Sequence, residues 1–299
     1  LDLIYLNANL EINMSLNTPL IHSSAFCLSA PFKVAAIQMV SAASVDRNIE
    51  IAEQWIAKAA KQGAQLVVLP EYFCLMGRKE TDKLSVAETE GTGPIQDFLS
   101  NTAKTHHIYL SAGSLPLVSP DAGRVFNTQL VYDPRGEQIA RYDKIHLFSF
   151  ARGEESYDES RAILAGSAVS RLQTPDITLG LSICYDLRFP ELYRAMGQVD
   201  LILVPSAFTY TTGKAHWEIL LRARAIENQC YVLAPAQGGH HENGRRTWGH
   251  SMLIDPWGDI VEVLPEHEGI VSGTIEPNRL REVRQSLPAL SHRTLFADK

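Results

Sequence analysis

Apolar and polar positions along this chain fall into two blocks that repeat one order of strands and helices. The stretch "FKVAAIQM" reads as a strand. Behind it Ile49, Ala52, Ile56 and Ala59 share one face of a helix, with Gly63 beyond its end. The wholly apolar "QLVVLP" reads as a buried strand that runs into Glu71-Tyr72-Phe73. A second helix is expected from about Pro94, then the strand "HIYLSAGS". A hairpin closes the block: "NTQLVYD", a turn at Pro134-Arg135-Gly136, and "EQIARYD".

The second block runs in the same order. "DITLGLSIC" is a strand, "PELYRAMG" a short helix, and "DLILVPSAF" closely echoes "QLVVLPEYF". The helix "KAHWEILLRARAIENQ" leads to the strand "CYVLAPAQ". The hairpin "GHSMLID", Pro256-Trp257-Gly258, "DIVEVL" matches the first down to its Asp-Pro-x-Gly turn. One further strand, "GIVSGTI", and a terminal helix and tail complete the pattern. Two copies of one β/α plan predict an α/β fold of two pseudo-symmetric halves. Their sheets pack face to face with helices outside, a four-layer α-β-β-α sandwich. Residues 32–299 are expected to form this single domain.

Composition sets limits on that picture. The 299 residues are 45% apolar and 20% charged, ordinary values for a globular protein large enough for a sizeable core. A net charge of -7 offers no footprint for nucleic acid or an anionic membrane surface. No apolar run is long enough to span a bilayer. Cys27, Cys74, Cys184 and Cys230 form no CxxC pair, and no His cluster has ligand spacing. Neither a disulfide framework nor a metal site is expected, and a reducing cytoplasm is. Residues 1–31 differ from the rest: an apolar start precedes Met14, and a Ser-rich stretch runs to Pro31. They lack a basic n-region and a small-residue cleavage site, so they are read as an extension without function, with translation starting at Met14.

Function in α/β sheets gathers at the carboxyl ends of strands. Glu71 and Cys184 stand at such ends, one in each block, and Lys144 follows the first hairpin. Cys184 is either a nucleophile presented at a strand end or a buried strand cysteine, and spacing alone leaves both open. An acid directly after a fully apolar strand, as Glu71 is, costs too much to bury unless it is paired or working. Lys144, in "YDKIHLF", is either a functional cation or a snorkelling one. A thiol of ordinary pKa needs a base, which a carboxylate can be, and an ammonium can hold the oxyanion that forms on attack. His146, His216, His240, His241 and His250 leave a Cys–His pair open as well. Glu218 with Arg222 and Arg224 with Glu227 have the spacing of helix-stabilising pairs. "GGHHENGRR" is a solvated loop or a lid that offers cations to an anionic substrate.

With "LPEYF", "RYDKIHLF" and "SICYDLRFPELYR" in this order, the chain resembles the nitrilase superfamily of carbon–nitrogen hydrolases from about Phe32 to near the C-terminus. That resemblance implies the α-β-β-α sandwich and a Glu-Lys-Cys triad, and it weighs against a Cys–His dyad. It makes Glu71 the general base, Cys184 the nucleophile and Lys144 the stabiliser of the tetrahedral intermediate. A second glutamate of the family matches Glu159 best, with Glu154 and Glu155 as close rivals. "SAFTYTTGKAHWEILLRARAIENQCYVLAPAQ" and "HHENGRRTWGHSMLIDPWGDIV" are most similar to the Nit branch, and there to its deaminated-glutathione amidases. The resemblance implies a small α-keto-acid amide as substrate: deaminated glutathione, or alternatively 2-oxoglutaramate or an N-carbamoyl amino acid. Tyr185, Arg188, Phe208 and Arg245 would face it, with Arg188 and the Arg245/Arg246 loop as carboxylate partners. No metal or organic cofactor is implied. A homodimer is, contacted through helices near the active site and through the tail "LPALSHRTLF".

Overall fold

The computed structural model describes residues 28–153 and 155–294. The first half comprises β1 (Phe32–Gln38), α1 (Val45–Lys61), β2 (Leu66–Val68), a short α2 (Asp82–Ser85), α3 (Pro94–His106) and β3 (Tyr109–Ser111). β4 (Leu115–Val118), β5 (Val125–Tyr132) and β6 (Gln138–Asp143) complete it. A separate hairpin, β7 (Ser149–Arg152) and β8 (Glu155–Asp158), leads on. The second half has β9 (Ser170–Gln173), β10 (Thr178–Leu181), α4 (Pro190–Ala195), β11 (Leu201–Leu203), α5 (Tyr210–Asn228) and β12 (Tyr231–Ala234). The hairpins β13 (Gly238–His240) with β14 (Arg246–Trp248) and β15 (Ser251–Ile254) with β16 (Ile260–Leu264) follow. β17 (Gly269–Ile275) and α6 (Pro277–Ser286) end the regular structure.

The two halves make two sheets, one with the order β17-β1-β2-β3-β5-β4 and β6 beside β5, the other β16-β15-β12-β11-β10-β9. In each, a parallel centre is flanked by antiparallel hairpin strands. Strand alternation sorts the core into layers. Val34, Ala36, Leu66 and Val68 join the large cluster that contains the second sheet. Ala35, Ile37, Val67 and Leu69 point the other way and pack with Ile56 and Ala59 of α1 and Leu99 and Ala103 of α3. α4 and α5 cover the second sheet, so the four-layer α-β-β-α sandwich is the observed architecture.

Two features differ from the expectation. β17 follows the second hairpin in sequence yet pairs antiparallel with β1 over its whole length, so the C-terminal strand returns to the first sheet. The hairpins β7–β8 and β13–β14 are additional. Leu28, just ahead of the expected domain start at residue 32, is 2% exposed and packs in the core. Residues 1–27 of the expected extension, with Cys27 and Met14, lie outside the described residues.

Two glutamines tie the sheets together where the site forms. Gln38, at the end of β1, accepts from the Ser251 N–H and donates to the Pro265 and His267 carbonyls. Gln237, just past β12, donates to the Glu71 carbonyl and accepts from the Ser41 N–H. Asn48, the polar member of the buried face of α1, donates to the Ala42 and Cys74 carbonyls and so pins the loop after Glu71 from behind. Gly113 is required there: a Cβ on it would lie 2.1 Å from the Pro70 carbonyl oxygen.

Candidate active site

Glu71 lies three residues past the end of β2, and Cys184 three past the end of β10. The sheet pairing continues beyond the strands proper: Leu69 N–H donates to the Ser111 carbonyl, and Cys184 N–H to the Pro205 carbonyl at 2.9 Å. Both polar residues are therefore carried out of the sandwich by the same construction, one per half. Cys184 has φ 51° and opens a 3-10 turn, Cys184–Arg188. A non-glycine residue in the left-handed region is uncommon, and such strain clusters at functional sites.

Lys144 meets Glu71 near Cys184. Its Nζ lies 2.8 Å from Glu71 Oε1 and 2.8 and 3.0 Å from the two oxygens of Glu159. Lys144 and Glu71 are fully buried, Glu159 nearly so. Glu71 Oε1 also accepts from Asn127 Nδ2 at 3.0 Å, and its Oε2 accepts from the Ala207 N–H at 2.9 Å. Ala207 belongs to "VPSAF", the counterpart of "LPEYF", so the repeat supplies a donor to its own partner motif. Glu159, at the start of a 3-10 turn after β8, accepts further from the Tyr72 hydroxyl at 2.8 Å and the Phe148 N–H at 2.8 Å. Every carboxylate oxygen of the pair is thus bound, which a buried charge requires.

The electrostatics follow from two carboxylates around one ammonium. Burial works against the charged lysine, but Glu159 and Glu71 outweigh it and hold the Lys144 pKa well above its ordinary value. Burial alone would push Glu159 up, and Lys144 outweighs it and holds Glu159 below the usual range. At Cys184 burial and the Glu71 charge push the thiol well above its ordinary value, with Lys144 opposing and a hydrogen bond to Glu71 adding to the rise. Burial and the neighbouring carboxylate thus favour the protonated thiol at rest.

A recess of about 300 Å³, open to solvent, leads to this cluster. Glu71, Glu159 and Cys184 line it, and so do Tyr185, Arg188, Phe208 and Arg245, all four residues expected to face a substrate. Arg188 lies over the rings of Phe208 and Tyr185 and touches His216 Nδ1 at 3.2 Å. Arg245 lies over the ring of Tyr157 from β8. Arg246 does not reach the recess: as the first residue of β14 it stacks 3.6 Å over Tyr210 and pairs with Glu266. Among the rivals for the second glutamate, Glu155 accepts from the Thr211 hydroxyl rather than meeting Lys144, and Glu154 lies outside the described residues. Three of the five candidate histidines are engaged away from Cys184. His146 contacts Asp186 and stacks on Phe189, His241 is buried between the Ser41 carbonyl and Thr247, and His250 stacks on Trp248. Both helix pairs on α5 form, Glu218 with Arg222 and Arg224 with Glu227.

Tyr72, Phe148, Thr209, Thr212 and Asn127 also belong to the site or its wall, and motif reading missed them. Tyr72 follows Glu71 directly and has φ 57°. Its neighbour's unusual position was the one available signal. Among the described residues no group of three or more His, Cys, Asp and Glu side chains is arranged to hold a metal ion, and no helix is long and apolar enough to cross a membrane.

Comparison with known proteins identifies the family. The family model for carbon–nitrogen hydrolases matches residues 33–285. A deaminated glutathione amidase of Synechocystis is 45% identical over 88% of this chain and 98% of its own length. The human omega-amidase NIT2 is 38% identical over 86% of this chain and 93% of its own. Among solved structures, the C. elegans NitFhit protein superposes with a TM-score of 0.82 at 39% identity, covering 89% of this chain and 66% of that longer one. The chain belongs to the carbon–nitrogen hydrolase family and is a hydrolase acting on carbon–nitrogen bonds.

Proposed function

We propose that this protein is an amidase for a small α-keto-acid amide, with deaminated glutathione as its substrate, and that Cys184 is its nucleophile. The observation that carries the reading is the buried Glu71–Lys144–Glu159 cluster at a recess that Cys184, in a left-handed backbone conformation, also lines. Glu71 takes the thiol proton as Sγ bonds to the amide carbon, so no free thiolate need exist beforehand. The Lys144 ammonium and the Tyr185 N–H, next after the nucleophile, hold the oxyanion. The carbon–nitrogen bond breaks as Glu71 passes its proton to the leaving amine. A water then gives its proton to Glu71 and bonds to the thioester carbon, the carbon–sulfur bond breaks, and the proton returns to sulfur. Glu159 does not touch the reacting atoms in this scheme. It keeps Lys144 charged and in place.

Arg188 and Arg245 supply two guanidiniums from different elements at one recess. Deaminated glutathione carries a carboxylate on each side of its scissile amide, whereas 2-oxoglutaramate carries one only, which favours the former. The likeness to omega-amidase NIT2 keeps 2-oxoglutaramate as the second reading. Rates on deaminated glutathione, 2-oxoglutaramate and an N-carbamoyl amino acid, with Cys184→Ala as control, test both choices. Wild-type turnover by Cys184→Ala removes the mechanism. A clear preference for 2-oxoglutaramate removes the substrate.

The cytoplasm as location is supported by three buried free cysteines, Cys74, Cys184 and Cys230, which suit a reducing compartment. A homodimer is supported by the exposed apolar residues Ile219 (70% exposed) and Ile226 on the outer face of α5, whose first turns line the recess through Thr212. Light scattering of wild type and Ile219→Glu tests it: a monomeric wild type ends that reading.

A further inference from the structure

We propose that Asp186 is a positioning residue that holds the nucleophile turn and the Lys144 segment at one fixed separation. This rests on the reading of Cys184 and Lys144 given above. Asp186 is fully buried, and its two oxygens are shared between the two segments. Oδ2 accepts from the Ile183 N–H at 2.9 Å and the Tyr142 hydroxyl at 2.7 Å. Oδ1 accepts from the His146 N–H at 3.1 Å and lies 2.7 Å from His146 Nδ1.

The arrangement of these partners is the argument. Ile183 directly precedes Cys184, while Tyr142 and His146 flank Lys144 two residues to either side. One carboxylate therefore grips both chemical groups by their immediate neighbours, across 40 residues of sequence. The grip closes on itself, because the Phe189 N–H donates to the Asp186 carbonyl at 2.9 Å and the Phe189 ring stacks 3.7 Å from His146. Cys184 sits in a sparsely populated backbone region, and such a conformation persists only where its surroundings over-determine it. Hydrogen bonds to an ionised acceptor are the strong ones, and here they act at the turn that carries the strain. A small drift between sulfur and ammonium is expensive in catalysis even when the fold survives.

Asp186→Asn separates this role from a purely structural one. It keeps the volume and one acceptor oxygen, but whichever way the amide turns it sets a donor against a backbone N–H, that of Ile183 or that of His146. The folded variant should lose about 100-fold in kcat on deaminated glutathione with KM within about threefold. Alkylation of Cys184 by iodoacetamide, located by peptide mass, should slow in parallel. Tyr142→Phe removes one donor only and should lose about tenfold, and the double variant should be no worse than Asp186→Asn. Should Asp186→Asn fail to fold, Tyr142→Phe carries the same test. A folded variant with wild-type kcat and wild-type alkylation overturns the proposal. Wild-type turnover by Cys184→Ala would instead overturn the nucleophile assignment, and the alkylation rates would still read the geometry of the turn.

Discussion

Lys144 Nζ stands 2.8 Å from Glu71 Oε1 with both side chains buried, so bulk solvent screens the ion pair little. Glu159 completes the balance from the other side. Removing one member of a buried ion pair leaves an uncompensated charge, which costs far more than the pair itself contributes. Lys144→Met should therefore lower stability by about 3–5 kcal/mol and abolish turnover. Adding Glu159→Gln should recover much of the stability in urea denaturation and none of the turnover. A single Lys144→Met variant as stable as wild type would refute the charge argument.

The same balance separates Glu159 from Glu155, the two candidates for the second glutamate that lie among the described residues. Glu159 binds Lys144 through both oxygens, while Glu155 is engaged with Thr211. Glu159→Gln keeps the shape but halves the negative charge on the ammonium, and should reduce kcat by about 100-fold or more. Glu155→Gln should stay within about threefold, the level of a substitution away from the reacting groups. Equal losses in the two variants would show that the distances misidentify the residue.

Burial and the Glu71 charge raise the thiol pKa, so at neutral pH the sulfur is protonated, and its ionisation lies on the alkaline side of an ordinary cysteine. The ultraviolet thiolate signal, taken as wild type minus Cys184→Ala, should be missing at neutral pH and emerge only in base. Glu159 also raises the thiol, so Glu159→Gln should bring that signal in at lower pH while still losing activity. A full thiolate signal in the wild type at neutral pH would mean that Glu71 has no proton to take.

Much of this was legible because it is written in periodicity. The alternation in "FKVAAIQM" and the unbroken apolar runs "QLVVLP" and "DLILVP" place strands by physics that depends on burial alone. Residues directly after such a run, or after the apolar alternation of "ITLGLSI", then have to emerge at strand ends, which pointed to Glu71 and Cys184. What stayed hidden depends on contacts between segments. Ser149–Arg152 and Glu155–Asp158 pair as a hairpin beside the recess, although their mixed polarity gives no clean strand signal. Arg245 and Arg246 are adjacent, and the point at which β14 begins sends one to the recess and the other to Glu266. Asp186 reads as a turn residue until Tyr142 and His146 are seen folded over it. Pairing of β17 with β1 is likewise a tertiary choice, because an isolated apolar strand suits either sheet.

His241 offers a test of the fold around the site through pH. It is buried with Nδ1 at 3.0 Å from the Ser41 carbonyl and Nε2 at 2.8 Å from Thr247 Oγ1. A carbonyl can only accept, so Nδ1 carries the proton and the neutral ring accepts from the threonine hydroxyl. Burial lowers its pKa to about 4, with Arg245 and His240 adding to the fall and the Ser41 contact opposing it. In the unfolded chain the pKa is near 6.5, so between these values the unfolded state binds the extra proton. The stability from the neutral ring is thus complete above pH 6.5, declines as pH falls toward 4, and changes no further below that. At pH 5 the loss should be about 2 kcal/mol relative to pH 7.5. Other groups titrate over the same range, but they are shared by His241→Gln. Urea denaturation of both proteins at the two pH values should show a larger acid loss in the wild type by that amount. Equal losses would place the ring in an environment that accepts charge, contrary to the burial seen between Ser41 and Thr247.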